Sequence, residues 1–307
     1  MTTSSTERPA TDRRPSVALA GIGLMLIGIS LFSLNDALGK WLVATYSVGQ
    51  LLLIRSAAAF VLLVPFIWRA GWQAFAAAPR PALQILRVVL STAEVAMFFW
   101  AVAYLPLADV VTFYLAGPIY VTALSALLLG EEVGWRRWTA VLAGFAGVLI
   151  ALRPSPATLT LPAMIALAGS VVFALLMVAT RSLRSTSNTV LVAGQIVSTL
   201  VFGLITAPFG WVTPTAPDFA LLVLFGVVSI VALACVNGAL KLAPASTVVP
   251  YQYTMIVWAA VLGYLVFGDV PDLAMLAGAA IIVAAGLFIF WREQARGRSD
   301  AAVIEPP

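Results

Sequence analysis

Histidine is absent from the chain, and cysteine occurs once, at Cys235. Without histidine, a proton relay would have to use carboxylates, because imidazole is the usual side chain for this task near neutral pH. A single cysteine cannot form an intrachain disulfide. The sequence also lacks a glycine-rich phosphate loop with its lysine, the common motif of nucleotide-driven machines. We therefore predict no catalytic residues, no metal site and no cofactor.

Charge is scarce as well: charged residues make up 10% of the chain, hydrophobic residues make up 62%, and the mean hydropathy is +1.03. This composition lies far outside the range of soluble globular proteins. Apolar runs of about 20 residues recur, each long enough to cross a bilayer core of about 30 Å as an α-helix. We predict an all-α integral membrane protein, with the lipid bilayer as a partner and ten transmembrane helices at 17–38, 48–68, 82–104, 108–129, 135–152, 160–180, 190–208, 218–240, 245–267 and 272–291.

The basic residues are distributed unevenly between the two sides of this predicted bundle. With a cytoplasmic N-terminus, the cytoplasmic loops and termini hold Arg8, Arg13, Arg14, Arg69, Arg80, Arg136, Arg137, Arg181, Arg184, Lys241, Arg292, Arg296 and Arg298. The opposite side holds Arg153, with Lys40 near a helix end. This asymmetry follows the positive-inside rule. It predicts that both termini are cytoplasmic, and it attributes the net charge of +4 to topology rather than to a nucleic-acid partner.

The first apolar segment follows a basic stretch, as a signal peptide would. Its apolar run is too long for a signal sequence and lacks a small-residue cleavage site, so we interpret it as a retained helix. Residues 1–16 and 292–307 are predicted to be cytoplasmic tails. Their polar, proline-containing parts, 1–16 and 297–307, are predicted to be disordered.

A sequence echo divides the chain into two halves. Residues 106–111 read PLADVV, and residues 244–249 read PASTVV, 138 positions later. The same offset relates the GE at 130–131 to the GD at 268–269. Weaker matches, such as Gly28 with Gly169, occur at an offset near 141.

Each half contains five predicted helices, an odd number, so the two halves must run in opposite directions through the bilayer. We predict two inverted repeats, at 17–152 and 160–291. Such repeats indicate alternating access around a central site.

Aromatic residues recur at equivalent places in the two halves: Phe113 corresponds to Tyr251, and Tyr120 corresponds to Trp258. Residues seven apart lie on one face of a continuous helix, so each half carries an aromatic stripe. The stripes either surround the central site or fill the core between helices, and the sequence leaves both interpretations open.

Charges embedded in the predicted membrane segments belong to the first half only. A charge at mid-membrane costs about 2.5 kcal/mol or more, so it needs a partner, a wet cavity or a proton. Asp36 and Lys40 are four residues apart and can neutralise each other, and Arg55 can extend toward the outer surface. Glu94, one turn before Phe98, has no cation nearby on its own helix, which makes it a candidate for substrate binding or proton coupling.

Amide side chains inside the membrane either bond between helices or join the aromatic residues in a mixed cavity lining. A lining of this kind suits small amphipathic zwitterions. The predicted binding residues are Asn35, Glu94, Phe98, Phe113, Tyr120, Gln195, Tyr251, Gln252 and Trp258. The predicted coupling or structural charges are Asp36, Lys40, Arg55 and Glu94.

The segments at 135–152 and 272–291 contain almost no polar side chain. Small residues four positions apart, such as Ala143/Gly147 and Ala274/Gly278, favour close approach of helices. We predict scaffold or dimer-contact helices here, in a monomer or a homodimer.

The ten-helix layout, the related halves and the P-x-[AS]-x-V-V … G-[ED] signature resemble the drug/metabolite transporter superfamily, in its EamA-type branch. The resemblance covers about residues 17–291. It implies a central cavity lined mainly by helices 1–4 and 6–9, with helices 5 and 10 peripheral. It also implies a place in the bacterial inner membrane and an activity like that of exporters of aromatic amino acids.

The sequence thus predicts an exporter of small metabolites, foremost amino acids, that is either proton-coupled or a facilitator. Efflux of cationic drugs is the alternative within transport, and it needs an accessible carboxylate such as Glu94. A lipid scramblase or a membrane enzyme is the alternative from another class. An enzyme would need a cluster of ligands or a nucleophile with its base, and the sequence offers neither inside the membrane.

Overall fold

The computed structural model describes residues 14–129, 134–153, 160–183, 185–242 and 248–304, and all regular structure in this part of the chain is helical. The α-helices are α1 (Arg14–Val43), α2 (Val48–Ala76), α3 (Pro81–Val102), α4 (Leu107–Leu115), α5 (Gly117–Leu129), α6 (Trp135–Leu152), α7 (Leu161–Ser182), α8 (Asn188–Thr206), α9 (Ala216–Leu242), α10 (Thr254–Leu262) and α11 (Leu273–Ile304). Two 3-10 helices (Ala207–Gly210 and Val249–Tyr253) and a π-helix (Gly263–Phe267) complete the list.

Seven helical stretches within the described residues are long and apolar enough to cross a membrane: Leu19–Val43, Val48–Phe75, Pro81–Val102, Leu107–Leu124, Leu161–Thr180, Asn188–Gly210 and Ala216–Ala239. Three shorter apolar stretches are Trp138–Leu152, Tyr251–Phe267 and Leu273–Phe288. The prediction of an all-helical membrane protein is confirmed.

Serine residues define two equivalent helix starts. The Ser47 hydroxyl accepts a hydrogen bond from the backbone N–H of Gln50 at the start of α2, and the Ser187 hydroxyl accepts one from Val190 at the start of α8. An N-cap of this kind satisfies a backbone donor that has no partner within the helix. Equivalent caps therefore begin the second helix of each predicted half.

The predicted segment 108–129 is not one continuous helix. It divides at Ala116 into α4 and α5, because Pro118 has no backbone N–H to contribute to a continuous helical ladder. The described part of the predicted segment 245–267 passes from a 3-10 helix through α10 to a π-helix. Phe113 and Tyr120 therefore lie on different helices, so their spacing of seven does not place them on one continuous helix face.

The ends of the helical region differ from the predicted tails. Helix α11 continues to Ile304, so the prediction of disorder over 297–307 is wrong up to that residue. The first described helix begins at Arg14, and the rest of the predicted N-terminal tail lies outside the described residues. The same applies to residues 130–131 and 244–247 of the sequence echo.

The helices pack most extensively in pairs drawn from the two parts of the chain. Helix α1 packs on α9, α2 on α8, α3 on α7, and α6 on α11, while α4 contacts α10. On the α6–α11 contact, Gly147 lies against the backbone of Gly278. Two of the small residues predicted to allow close helix approach, Gly147 and Gly278, therefore meet each other within the chain.

The bundle has two ends that are named here by one residue each. The Tyr46 end holds the α1–α2 connection, and there Tyr46 bonds Asp218 at the start of α9. The Arg80 end holds the α2–α3 connection, and there Arg80 bonds the carbonyl of Ser182 at the end of α7.

Candidate functional site

A cavity of about 120 Å³ lies among α1, α2, α3, α8 and α9. Its polar lining comprises Arg55 and Ser56 of α2, Gln195 and Thr199 of α8, and Ser229 of α9. The remaining lining is apolar and includes Phe32, Val95 and Leu233. Helices from both parts of the chain thus contribute polar groups to one cavity.

Three charged residues lie at similar depth around this cavity. Asp36, Arg55 and Glu94 are seven or eight residues from the ends of α1, α2 and α3 at the Tyr46 end, or roughly 10 Å at the helical rise per residue. Arg55 interacts electrostatically with both carboxylates. Among the described residues, Arg55 forms no ion pair, so no oxygen of either carboxylate lies within 4 Å of its guanidinium nitrogens.

Two phenyl rings face the Arg55 guanidinium. Its central carbon lies 4.9 Å from the ring centroid of Phe225 and 5.7 Å from that of Phe99. The two rings meet edge to face, with centroids 5.3 Å apart. The expectation that Arg55 extends to the surface is therefore wrong: a cation over aromatic faces is stabilised inside the bundle.

Lys40 contacts two other chain segments at the Tyr46 end. Its ammonium group lies 2.7 Å from a carboxylate oxygen of Asp269, donates a hydrogen bond to the carbonyl of Leu105 at 3.0 Å, and lies 4.6 Å from the ring centroid of Phe267. The expected pairing of Lys40 with Asp36 is not found. The long lysine side chain reaches the polar end of the bundle, whereas Asp36 is buried beside the cavity.

Further contacts at the Tyr46 end join the two parts of the chain. The Tyr46 hydroxyl donates to the Asp218 carboxylate at 2.7 Å, and this hydrogen bond raises the pKa of Tyr46. The Gln50 amide donates to the carbonyl of Val212 and accepts from its N–H. Arg153 pairs with Asp272 at 2.8 Å in an exposed ion pair. This end is therefore held by charged and polar contacts.

The Arg80 end is held by contacts among α3, α7 and α8. The buried Arg87 donates to the Thr180 hydroxyl and to the carbonyl of Leu191. Gln84 donates to the Thr186 hydroxyl. The described contacts at this end are hydrogen bonds without a carboxylate, in contrast to those at the Tyr46 end.

Of the predicted binding residues, Gln195 lines the cavity and Glu94 is coupled electrostatically to Arg55. Asn35 is buried on α1, and its side-chain oxygen has no hydrogen-bond partner among the described residues. Phe98 meets Phe99 and Tyr114 edge to face, with centroids 5.2 and 5.1 Å away. These residues lie on the helices that surround the cavity.

The other predicted binding residues lie elsewhere. Phe113 is buried in the main apolar core, and Tyr251 packs against a smaller core that contains Met25. Tyr120 and Gln252 are half-buried, and Trp258 is 37% exposed. The structure does not bring these five aromatic and amide positions together around the described cavity, and their role in binding stays a prediction.

Sequence reasoning missed several residues of the site. Ser56, Thr199 and Ser229 are small polar residues within apolar runs, and Phe99 and Phe225 are separated by 126 positions. No local pattern marks such residues, because their role depends on which helices become neighbours. Among the described residues, no group of three or more Cys, Asp or Glu is arranged to hold a metal ion.

Apolar helices of membrane length that surround a cavity with Arg55 in its wall define a multi-pass membrane protein. The EamA-like transporter family matches the chain twice, over residues 19–153 and 160–291. The chain belongs to this family of transporters.

Related proteins of known name cover nearly the whole chain. The S-adenosylmethionine uptake transporter of Rickettsia felis is 26% identical over 90% of this chain and 94% of its own length. The riboflavin transporter of Rhizobium johnstonii is 28% identical over 94% and 96%, and the pseudopaline exporter of Pseudomonas aeruginosa is 29% identical over 87% and 94%. A solved crystal structure with 19% identity has a TM-score of 0.61 and covers 90% of this chain and 98% of its own, a likeness in fold.

Proposed function

We propose that the protein exports small metabolites across the bacterial inner membrane by alternating access, and that its substrates are amino acids, aromatic and other large neutral ones among them. The observation that carries this proposal is the cavity in which Arg55 and Gln195 face a common space between helices of both halves. Membrane-embedded charges are costly and mark the path of a polar solute.

The pairing of helices supports a frame of ten crossings in two inverted repeats, 17–152 and 160–291. With the ten predicted segments numbered in chain order, the most extensive contacts join segment 1 to 8, 2 to 7, 3 to 6 and 5 to 10, and a smaller contact joins 4 to 9. A two-fold rotation that exchanges the halves converts the 1–8 pair into the 6–3 pair and returns each other pair to itself. A pattern with this symmetry is expected for inverted repeats.

Two glycines repeat the same symmetry at the residue level. A Cβ atom added to Gly28 would meet Val236, and one added to Gly169 would meet the Tyr114 hydroxyl first and Met97 at 3.2 Å. Gly28 and Gly169 are counterparts in the sequence echo, and Met97 and Val236 are 139 positions apart. Equivalent close approaches thus join segment 1 to segment 8 and segment 6 to segment 3.

Separate contact sets at the two ends support alternating access. At the Tyr46 end, the ion pair of Lys40 and Asp269 joins the two halves. At the Arg80 end, the hydrogen bond from Arg87 to Thr180 joins them. In the cycle that we propose, one set breaks while the other forms. With cytoplasmic termini, as the distribution of basic residues predicts, the Tyr46 end faces outward.

The choice of amino acids as substrates is supported by the mixed character of the cavity. It offers one cation, two nearby carboxylates, an amide and apolar walls, which together suit a zwitterion with an apolar side chain. The named relatives carry organic metabolites in both directions, since their names include uptake and export. The direction in this protein is therefore assigned from the resemblance to amino-acid exporters.

Concentrative counterflow tests this function. The purified chain is reconstituted in liposomes, and exchange of labelled tryptophan, phenylalanine and leucine is measured with S-adenosylmethionine and riboflavin as competitors. We expect saturable exchange of the amino acids, reduced in Gln195→Ala because the substrate loses an amide contact. If no amino acid is exchanged but S-adenosylmethionine or riboflavin is, the assignment of amino acids as substrates is wrong, although the protein is still a carrier. Trp258→Ala serves as a comparison, because Trp258 does not line the cavity.

Efflux of cationic drugs is the second candidate, and one observation favours it. Asp36 and Glu94 both interact electrostatically with the single Arg55. With both carboxylates ionised, a positively charged substrate would balance the second negative charge. Dye efflux in the same liposomes distinguishes the two functions. Transport of cationic dyes that amino acids do not inhibit would favour the second candidate.

A further inference from the structure

Arg55 has no polar partner among the residues that the structure describes. It makes no hydrogen bond in this part of the chain, and its guanidinium forms no ion pair within 4 Å. A guanidinium carries five N–H donors. Leaving such donors unpaired inside a protein is costly. A group in this state at a cavity wall is available for a ligand.

The surroundings of Arg55 hold it in place without using its donors. Phe225 and Phe99 face the guanidinium with their rings, which attract the charge but accept no conventional hydrogen bond. Gly39 of α1 makes room for both rings, because a Cβ atom there would collide with Phe99 and lie 3.0 Å from Phe225. Gly226 lets α9 approach the backbone of Arg55 in the same way. The cation is thus positioned by packing and remains open to an acceptor.

Charge decides which acceptor fits. Asp36 and Glu94 interact electrostatically with Arg55, yet neither pairs with it directly. In their ionised forms, these two carboxylates would repel a phosphate or another dianion. A molecule with one carboxylate and a neighbouring ammonium group fits this arrangement of charges. Its carboxylate would meet Arg55, and its ammonium group would meet the two carboxylates. The apolar lining residues Phe32, Ile196 and Leu233 are suited to an attached side chain.

We propose that Arg55 anchors the carboxylate of the substrate, and that Asp36 and Glu94 take up its ammonium group. This assignment rests on the proposed function, since it names the chemical class that the same cavity binds: α-amino acids and molecules that contain an α-amino-acid group. Arginine suits the task because its planar fork can hold a carboxylate with two parallel hydrogen bonds.

The test uses ligand pairs that differ only in the carboxylate. Tryptophan is compared with tryptamine, and S-adenosylmethionine with its decarboxylated form, as competitors in counterflow and as stabilisers of the purified full chain against heat. The variants are Arg55→Gln and Arg55→Lys. Arg87→Gln is the matched control, because Arg87 is a second buried arginine that already has two acceptors, away from the cavity lining.

In the wild type, the carboxylate-bearing member of a pair that binds is expected to be about tenfold more potent, as charge-assisted hydrogen bonds imply. Arg55→Gln should reduce this ratio to about one, Arg55→Lys should retain part of it, and Arg87→Gln should leave it unchanged. A wild-type ratio preserved in Arg55→Gln would overturn the proposal, as would a wild type stabilised by neither carboxylate-bearing ligand.

The two failures are distinguishable. If tryptophan or S-adenosylmethionine stabilises the protein in an Arg55-dependent way but no amino acid is exchanged, the anchor stands and the proposed function fails. If amino acids are exchanged and the ratio does not depend on Arg55, the proposed function stands and the anchor is wrong.

Discussion

At the scale of single residues, Lys40 connects the end of α1 to two other parts of the chain. Its ion pair with Asp269 is only partly exposed, with 13% and 25% of the two side chains accessible. The pair also gains a hydrogen bond to the Leu105 carbonyl. A pair shielded in this way is screened less by solvent than a surface pair.

We predict that Lys40→Met and Asp269→Asn are coupled by about 1–2 kcal/mol in a double-mutant cycle. The loss in each single variant includes the cost of leaving its partner charge unpaired, whereas the double variant removes both charges. The measurement is the free energy of unfolding in mixed micelles with increasing SDS.

The exposed pair of Arg153 and Asp272 provides the comparison. Because 51% and 59% of these side chains are accessible, Arg153→Gln should change the free energy of unfolding by less than about 1 kcal/mol. Equal effects of Lys40→Met and Arg153→Gln would contradict the view that shielding distinguishes the two pairs.

The charged residues show what sequence reasoning can predict at this scale. Asp36, Arg55 and Glu94 are conspicuous in an apolar sequence, so the need of each charge for a partner or a wet cavity was predictable from the cost of burying charge. Their contacts were not. Lys40 pairs with a residue 229 positions away, and the local spacing of Lys40 and Asp36 indicated the wrong partner.

At the scale of helices, the contact between α6 and α11 depends on the absence of side chains. A Cβ atom at Gly278 would lie 2.6 Å from the carbonyl oxygen of Gly147 and 2.7 Å from the Cβ atom of Ala151. Backbones that approach this closely are typical of small-residue contacts in membranes.

We predict that Gly278→Val destabilises the protein by about 1–3 kcal/mol, because the added side chain forces the two helices apart. The thermal midpoint of the purified protein should fall, while ligand affinity in the remaining folded fraction is retained. Gly23→Val on α1 is the control, since no atom lies within 4 Å of a Cβ at that position. Similar losses in both variants would attribute the effect to helix propensity rather than to the contact.

Helix boundaries were predictable where composition decides them. The segment at 135–152 coincides with α6, because arginine and tryptophan residues precede a long apolar run. The breaks in segments 4 and 9 lie close to Pro118 and to Pro250, which is in the 3-10 helix Val249–Tyr253, and proline lacks the N–H that a continuous helix needs. The 3-10 helix and the π-helix of segment 9 were not predictable from the sequence, because such turns depend on tertiary packing.

At the scale of the molecule, α1, α2, α3 and α6 of the first half each pack most extensively on a helix of the second. Neither half can bury its own polar and small-residue faces alone. We therefore predict that residues 1–156 and 157–307, produced separately, are unstable, and that their co-production restores a complex with counterflow activity. The measurement is co-purification through a tag on one half.

Stable accumulation of either half alone would contradict this prediction. The membrane class and the division into halves were predictable from hydropathy and from the sequence echo. The pairing of segments 1 with 8 and 3 with 6 was not, because the echo relates equivalent helices and carries no information on which ones touch.

Cys235 lies half-buried on α9, two residues beyond the cavity-lining Leu233. As the only thiol of the chain, it gives a fluorophore or spin label a single point of attachment. One replacement, Cys235→Ser, provides a thiol-free background in which engineered cysteine pairs can report the opening of either end in real time.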